Sequence, residues 1–94
     1  MAAILKSTHF TQYRDLIVRM RAEREARGVT QEELARRLGK PQSYVSKAEM
    51  GERRLDVVEY LQFMRGIDGE PHALLRQIEA EYRPARLPAW HKRR

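Results

Sequence analysis

Two short amphipathic segments in the middle of the chain, separated by a glycine and a proline, restrict its fold more than any other part. In the first segment, Leu34, Ala35 and Leu38 recur on one side at about 100° per residue, and the charged residues point elsewhere. Gly39 is suited to end that helix in a left-handed conformation, and Pro41 to begin the next one. The pattern predicts two helices joined by a tight turn, over about residues 31–38 and 41–50.

Residues with capping chemistry stand before the predicted helices. Thr30 and Glu33 have the spacing of a capping box, in which the hydroxyl accepts a backbone N–H and the carboxylate reaches back. Asp56 and Glu59 repeat this spacing before a later apolar segment. Together with helical periodicity in the rest of the chain, these caps predict three further helices, over about residues 12–27, 57–67 and 71–82.

The second central helix has one apolar side and one polar side. Val45 and Ala48 fall together and can anchor the helix on a core. The opposite side, an arc of about 140°, carries amide, hydroxyl and ammonium groups from Gln42, Ser43, Ser46 and Lys47. Such a short helix suits the major groove of DNA, where base edges present donors and acceptors in a base-specific order.

Two motifs cover this region: T-Q-x-x-L-A-x-x-L-G from Thr30 and S-x-V-S-K-x-E-x-G-x-R-R-L from Ser43. They resemble the helix-turn-helix of the lambda repressor and Cro (Xre-like) family of bacterial and phage DNA-binding proteins. The resemblance extends from about Tyr13 to about Tyr82. It implies an all-α fold, namely a five-helix lambda-repressor-like DNA-binding bundle in which helices 2 and 3 form the helix-turn-helix.

The same resemblance implies sequence-specific binding of double-stranded DNA by a small bacterial or phage transcriptional regulator. Because helix-turn-helix proteins usually bind two half-sites roughly 34 Å apart, we expect a homodimer on a palindromic operator. The alternative is an antitoxin or adaptor module that acts mainly through a protein partner, such as a toxin or a polymerase. The two alternatives are compatible, since antitoxins of this type commonly bind DNA as well.

The candidate DNA contacts fall into two groups. The candidate base-reading residues are Gln42, Ser43 and Lys47, since glutamine can pair with adenine and lysine with guanine acceptors. The candidate phosphate contacts, which would fix register without reading sequence, are Gln31, Lys40, Tyr44, Ser46, Arg53 and Arg54. For any one of them the alternative is an ordinary exposed polar side chain, and for Ser46 a hydrogen bond within its own helix.

The resemblance also implies a structural pair. In this family an arginine at the position of Arg24 often pairs with the glutamate of the S-K-x-E motif, here Glu49. We therefore expect an ion pair between Arg24 and Glu49 that joins the first helix to the third. The alternative is that both are solvated surface charges, which contribute little to stability.

Composition limits the classes of function. A chain of 94 residues forms one domain, and its net charge of +6 and pI near 10.2 favour an anionic partner, either nucleic acid or an acidic membrane surface. The absence of cysteine excludes disulfides and thiolate metal sites. No apolar run approaches the roughly 18 residues of a membrane span, and no signal peptide is recognisable. We expect a cytoplasmic protein that does not bind membranes.

Charge is unevenly distributed along the chain, which implies that one end faces phosphate and the other end faces something else. Residues 1–55 carry twelve Lys/Arg against seven Asp/Glu, residues 56–82 carry two against six, and residues 83–94 carry five against none. The predicted parts are an N-terminal arm (1–10), a helix-turn-helix domain (11–82) and a basic C-terminal tail (83–94). The tail is either a solvated end or a segment that contacts phosphates or the acidic helices.

The last two predicted helices contain apolar stripes. In the fourth helix, Val58, Leu61 and Met64 are expected to close the core over the third helix, together with Leu55. The stripe of the fifth helix consists of Leu74, Leu75, Ile78 and Tyr82. The two interpretations are that this stripe docks on its own chain and that it meets a two-fold copy. We expect both, with helices four and five contributing to the interface and the four residues of the stripe as the candidates for a dimer contact.

An enzyme is poorly supported by the sequence. His9, His72 and His91 are far apart and lack the carboxylate spacing of a metal site. The glycines stand at predicted helix ends and do not form a phosphate-binding loop. We therefore expect no catalytic residues, no metal and no cofactor.

Overall fold

Five α-helices and no strand make up the residues that the computed structural model describes, 2–82, with side chains described for 11–81. The helices are α1 (Ala2–Ala26), α2 (Gln31–Leu38), α3 (Gln42–Glu49), α4 (Val57–Gly66) and α5 (Pro71–Tyr82). The predicted all-α, five-helix class is confirmed. The tail predicted over 83–94 lies outside the described residues.

The first helix is longer than predicted. It begins at Ala2 and continues to Ala26, so the prediction of a separate arm over 1–10 and of a helix start near Gln12 is wrong. No glycine or proline precedes Gly28, and nothing in the covalent structure of the chain therefore interrupts the helix. Gly28, with a φ of 72°, follows the end of α1.

The turn between α2 and α3 depends on Gly39. Its φ of 68° and ψ of 33° place it in the left-handed region, as predicted, and Lys40 N donates to Ala35 O at 2.9 Å. Pro41 differs from the prediction, because its ψ of 156° makes it the N-cap of α3 and not the first helical residue. Both residues stop the chain from continuing α2 and redirect it into α3.

The two predicted capping pairs behave differently. Asp56 and Glu59 form a complete capping box at the start of α4. Thr30 Oγ1 accepts a hydrogen bond from Glu33 N at 3.0 Å, but the Glu33 carboxylate pairs with Arg37, one turn further along α2, at 3.0 Å. Glu33 therefore serves α2 through an ion pair along the helix surface.

A core cluster joins all five helices. Leu34 of α2, Val45 of α3 and Met64 of α4 are completely enclosed, each with 0% of its surface exposed. The other buried apolar residues are Ile17, Met20, Val29, Ala35, Ala48, Leu55, Tyr60, Phe63, Ile67 and Leu74. Since α2 packs against both α3 and α4, the turn between α2 and α3 is supported by the same core.

Helix α4 presents a different face to the core from the predicted one. Leu55 and Met64 are buried as expected, but Val58 and Leu61 are 60% and 37% exposed. Tyr60 and Phe63 take the buried positions instead. The helix contains more apolar residues than one face can bury, so periodicity alone allows either face to be chosen.

Helix α5 docks on its own chain, chiefly along α1 and also against α4. Leu74 is 4% exposed and belongs to the core, so its prediction as a dimer contact is wrong. Leu75 is 43% exposed and Ile78 is half-buried, whereas the side chain of Tyr82 lies outside the described residues. Arg19 of α1 secures the contact through hydrogen bonds with two α5 side chains, Gln77 Oε1 at 2.8 Å and Glu81 Oε2 at 2.7 Å.

Gly66 lies where α4 passes close to α2. A Cβ atom at this position would come within 2.5 Å of Leu34 Cδ1, closer than real side chains approach. The Gly66 carbonyl oxygen also accepts a hydrogen bond from Arg37 Nη1 at 2.6 Å. The glycine thus permits the close approach of the two helices that encloses Leu34.

The free energy of unfolding should depend on pH in the alkaline range, because Tyr60 titrates there. Its hydroxyl donates to Pro71 O at 2.6 Å, and burial, with a smaller effect of the Glu70 charge, raises the pKa of Tyr60 from 10.0 to about 12. Because the folded protein favours the protonated hydroxyl, the stabilisation is complete below the unfolded pKa near 10 and disappears as the pH rises through about 12.

The measurement is urea unfolding of the wild type and of Tyr60→Phe across this range. Below pH 10 the wild type should exceed the variant in free energy of unfolding by about 1 kcal/mol. The difference should shrink between pH 10 and pH 12, because an ionised hydroxyl can no longer donate. A difference that stays constant over the whole range would contradict this assignment.

Candidate nucleic-acid interface

The polar side of α3 is open to solvent. Val45 and Ala48 are 0% and 1% exposed and hold the helix against the core. Gln42, Ser43 and Lys47 are all exposed, as the sequence pattern predicted. The helix therefore displays an amide, a hydroxyl and an ammonium group on a surface that its own fold leaves uncovered.

A buried ion pair fixes α3 against α1. Arg24 Nε donates to Glu49 Oε2 at 2.6 Å, and Arg24 Nη2 donates to Glu49 Oε1 at 3.0 Å. The two side chains are only 7% and 2% exposed, and Arg24 Nη1 also donates to Val29 O at 2.6 Å. The pair that the resemblance implied is present, and its two parallel hydrogen bonds restrict both the position and the rotation of α3.

Gln31 connects this pair to the exposed face of α3. Its Nε2 donates to Glu49 Oε1 at 2.8 Å, and its Oε1 accepts from Gln42 Nε2 at 3.4 Å. Part of the hydrogen-bonding capacity of the Gln31 amide is therefore already used, and one N–H remains for a further acceptor. The candidate base reader Gln42 is linked through Gln31 to the buried carboxylate.

Tyr44 brings two candidate phosphate contacts together. Its half-buried ring lies 5.2 Å from Lys40 Nζ and 4.9 Å from Arg53 Cζ, both measured to the ring centroid. Burial raises the pKa of Tyr44, the charge of Glu59 raises it further, and Arg53 acts in the opposite direction. Both cations lie near the face of the Tyr44 ring, and the negative quadrupole of the ring attracts them there.

A second aromatic residue performs a similar role for Arg54. Arg54 Cζ lies 4.7 Å from the centroid of the Tyr13 ring, and the Tyr13 hydroxyl accepts a hydrogen bond from Leu55 N at 2.8 Å. Tyr13 belongs to α1, so this contact ties the loop after α3 to the first helix. This contact was not predicted from the sequence, because no local spacing indicates a contact across 42 residues.

The remaining candidate, Ser46, follows the alternative stated for it. It is half-buried, and its Oγ donates to Met50 Sδ at 3.6 Å, a contact local to the end of α3. The contact of Glu59 with a candidate phosphate contact was not predicted: Glu59 Oε2 accepts from Arg53 Nη2 at 2.7 Å. Only its capping role could be recognised from the sequence.

Two features are absent from the described part of the chain. Among residues 2–82, no group of three or more His, Cys, Asp or Glu side chains is arranged to hold a metal ion. None of the five helices has the length and apolar character needed to cross a bilayer.

Comparison with known proteins identifies similar chains. A helix-turn-helix family model matches residues 20–63. An XRE-family like protein from Pseudomonas syringae pv. tomato str. DC3000 is 49% identical, with a TM-score of 0.81, over 84% of this chain and 96% of that one. The restriction-modification controller protein C.AhdI from Aeromonas hydrophila is 34% identical, with a TM-score of 0.59, over 68% and 96% of the respective chains. No curated protein matches the sequence.

Loss of Arg24 should destabilise the fold strongly. In Arg24→Ala the Glu49 carboxylate would remain buried without its cation, so the free energy of unfolding should fall by about 3 kcal/mol or more. Arg21→Ala is the matched control, since Arg21 pairs with Glu25 at 3.2 Å while both side chains are more than half exposed. The control should lose less than about 1 kcal/mol in urea unfolding. Equal losses in the two variants would contradict the role of the buried pair.

Proposed function

Because the chain belongs to the XRE family of helix-turn-helix DNA-binding transcriptional regulators, we propose that it reads a specific palindromic operator as a homodimer. The observation that carries this proposal is the two-sided α3. Its Val45 and Ala48 are buried, and Gln42, Ser43 and Lys47 stand exposed with the spacing of one helical face. A helix held in this way can enter the major groove without rearrangement of the fold.

Base reading is assigned to the exposed face of α3. Gln42 can pair with the adenine N6 and N7 edge, and Lys47 can donate to the guanine O6 and N7 acceptors, whereas Ser43 is permissive. The link from Gln42 through Gln31 to Glu49 limits the orientations that the Gln42 amide can adopt. This restriction supports a role in discriminating between bases, because a preoriented donor and acceptor lose less entropy on binding.

Phosphate contacts are assigned to the cations that border α3. Three exposed cations lie against aromatic rings, which hold their charges near the ends of α3: Lys40, Arg53 and Arg54. Three uncharged residues remain weaker candidates for phosphate contact, because each already interacts with another side chain of the fold: Gln31, Tyr44 and Ser46. Phosphate contacts of this kind set the register of the protein on DNA and supply affinity that depends on salt.

Dimerisation is assigned to α5 and the neighbouring part of α4. Leu75 is 43% exposed and Ile78 is half-buried, on a helix whose opposite side is occupied by its own core. Residues 56–82 carry two basic against six acidic residues, so this end of the molecule is poorly suited to phosphate. A two-fold contact here would leave both copies of α3 free for successive half-sites.

Two substitutions separate base reading from phosphate contact. Lys47→Ala should change the preferred base at one position of sites selected from a random DNA pool, with a loss of about 1–3 kcal/mol of discrimination. Arg53→Ala should weaken cognate and random duplexes alike and reduce the log–log salt slope by about one. The proposal fails if both variants change cognate and random binding in the same way, or if the wild type ignores duplex DNA at low salt.

The proposed dimer is tested by a charge placed on α5. Leu75→Glu should shift the protein towards the monomer in sedimentation equilibrium, because two carboxylates would meet across the two-fold axis. Val18→Glu is the matched control, since Val18 is an exposed apolar residue of α1, at 60% exposure. A wild type that is monomeric at high micromolar concentration, with and without operator DNA, would remove the dimer from the proposal.

The antitoxin or adaptor alternative remains a separate prediction. It requires a protein partner, which affinity purification under native conditions would reveal as a stoichiometric second chain. Such a partner would add to DNA binding and would not exclude it.

A further inference from the structure

An acidic side chain lies inside the group of cations assigned to the DNA backbone. We propose that Glu59 and the ring of Tyr44 together hold Arg53 in position for a phosphate, so that this carboxylate raises the affinity of the protein for DNA. The inference rests on the proposed function, because it concerns the same interface. It assigns positioning roles to Glu59 and Tyr44. The proposed role of Glu59 is the opposite of the effect of its negative charge alone, since that charge repels phosphate.

Arg53 is restrained on two sides. Its Cζ lies 4.9 Å from the centroid of the Tyr44 ring, and its Nη2 donates to Glu59 Oε2 at 2.7 Å. An arginine guanidinium carries five N–H donors in a fixed plane, and the contact with Glu59 uses only one of them. The side chain is still 42% exposed, so the other donors remain accessible to a phosphate.

Glu59 is itself held in place before it meets Arg53. Its Oε1 accepts from Asp56 N at 2.9 Å, and its backbone N donates to Asp56 Oδ1 at 2.8 Å, which completes the capping box of α4. Its side chain is 23% exposed. An ion pair between two freely moving surface side chains gains little because both lose conformational entropy. Here the carboxylate is already fixed, and only Arg53 has to be ordered.

Tyr44 places its ring face beside Arg53, and its hydroxyl also interacts with that side chain. The Tyr44 backbone N donates to Pro41 O at 2.9 Å, so the ring extends from the first turn of α3. Lys40 Nζ lies 5.2 Å from the same ring centroid, and the ring therefore sets the spacing between a cation of the turn and a cation of the loop after α3. The Tyr44 hydroxyl is neutral at neutral pH with its ordinary pKa near 10, and burial raises this pKa further, so the hydroxyl adds no charge that would repel phosphate.

The opposite interpretation is that Glu59 merely repels DNA. The two interpretations predict opposite signs for Glu59→Gln, which removes the charge but preserves the capping box, since glutamine also serves at this capping position. If Glu59 positions Arg53, the variant should bind the selected operator about two- to five-fold more weakly than the wild type. If Glu59 acts only through its charge, the variant should bind more tightly.

Glu52→Gln is the matched control. Glu52 is exposed and precedes Arg53 directly, so this variant removes an equal charge from the loop that carries Arg53. It should leave operator affinity unchanged or raise it. Both variants should stay folded, and the thermal unfolding midpoint of Glu59→Gln should fall only by the small amount expected for one partly exposed ion pair, which separates positioning from a loss of fold.

A double-mutant cycle isolates the coupling. In the Arg53→Ala background, Glu59→Gln should no longer weaken binding, and in the wild-type background it should lower the log–log salt slope by up to about one. For the ring, Tyr44→Leu should approach the affinity of Arg53→Ala, whereas Tyr44→Phe, which keeps the ring, should bind more tightly than Tyr44→Leu. Equal losses in Tyr44→Phe and Tyr44→Leu would assign the role to the hydroxyl and overturn the role of the ring.

The experiment uses the full chain, the selected operator duplex and a random-sequence duplex. Tighter binding by Glu59→Gln in both backgrounds, parallel to Glu52→Gln, would overturn the positioning role while leaving DNA binding intact. Failure of the wild type to bind either duplex at low salt would reject the proposed function and the inference together. NMR of the Arg53 side chain in the free protein gives a readout without DNA: ring-current shifts from Tyr44 should be present in the wild type and reduced in Glu59→Gln.

Discussion

The buried pair of Arg24 and Glu49 is the interaction on which the rest of the structure depends. Helix α3 has only eight residues, Gln42–Glu49, and a helix of that length is not stable by itself in water. Its direction is therefore set by what it packs against, and the bidentate contact at 2.6 and 3.0 Å joins its last residue to α1. Removing two charges from water is costly, and the Val29 carbonyl and the Gln31 amide supply the additional hydrogen bonds that offset this cost.

The cations around α3 are held by the fold before any DNA arrives. Tyr13 and Tyr44 each place a ring beside an arginine of the loop after α3, and each is attached to a different helix. Glu59 adds a carboxylate that the start of α4 has already fixed. Long basic side chains normally lose much conformational entropy on binding, and restraints of this kind reduce that loss. The surface is thus organised by contacts that join α1, α3 and α4.

Local patterns were sufficient for much of the architecture. Several features follow from interactions within a few residues, which can be recognised directly in a sequence. These are the bounds of α2 and α5, the left-handed conformation of Gly39 and the capping box of Asp56 and Glu59. The buried Val45 and Ala48 follow from helical periodicity in the same way. The start of α1 could not be predicted, because Ala2 and its neighbours carry no strong signal for or against a helix. For the candidate site, periodicity located the exposed side of α3 but not the contacts that restrain it.

The sequence by itself thus determined the number and order of the helices, though not the start of α1, together with the turn between α2 and α3 and the residues that α3 turns towards solvent, because these depend on spacing along the chain. Only the tertiary structure decided which face of α4 is buried, and it placed Tyr60 and Phe63 inside where Val58 and Leu61 were expected. It also decided that Leu74 belongs to the core. The physical reason is the same in each case. The residues that cover an apolar face belong to other helices that are distant in sequence, so periodicity within one helix does not reveal which face they cover.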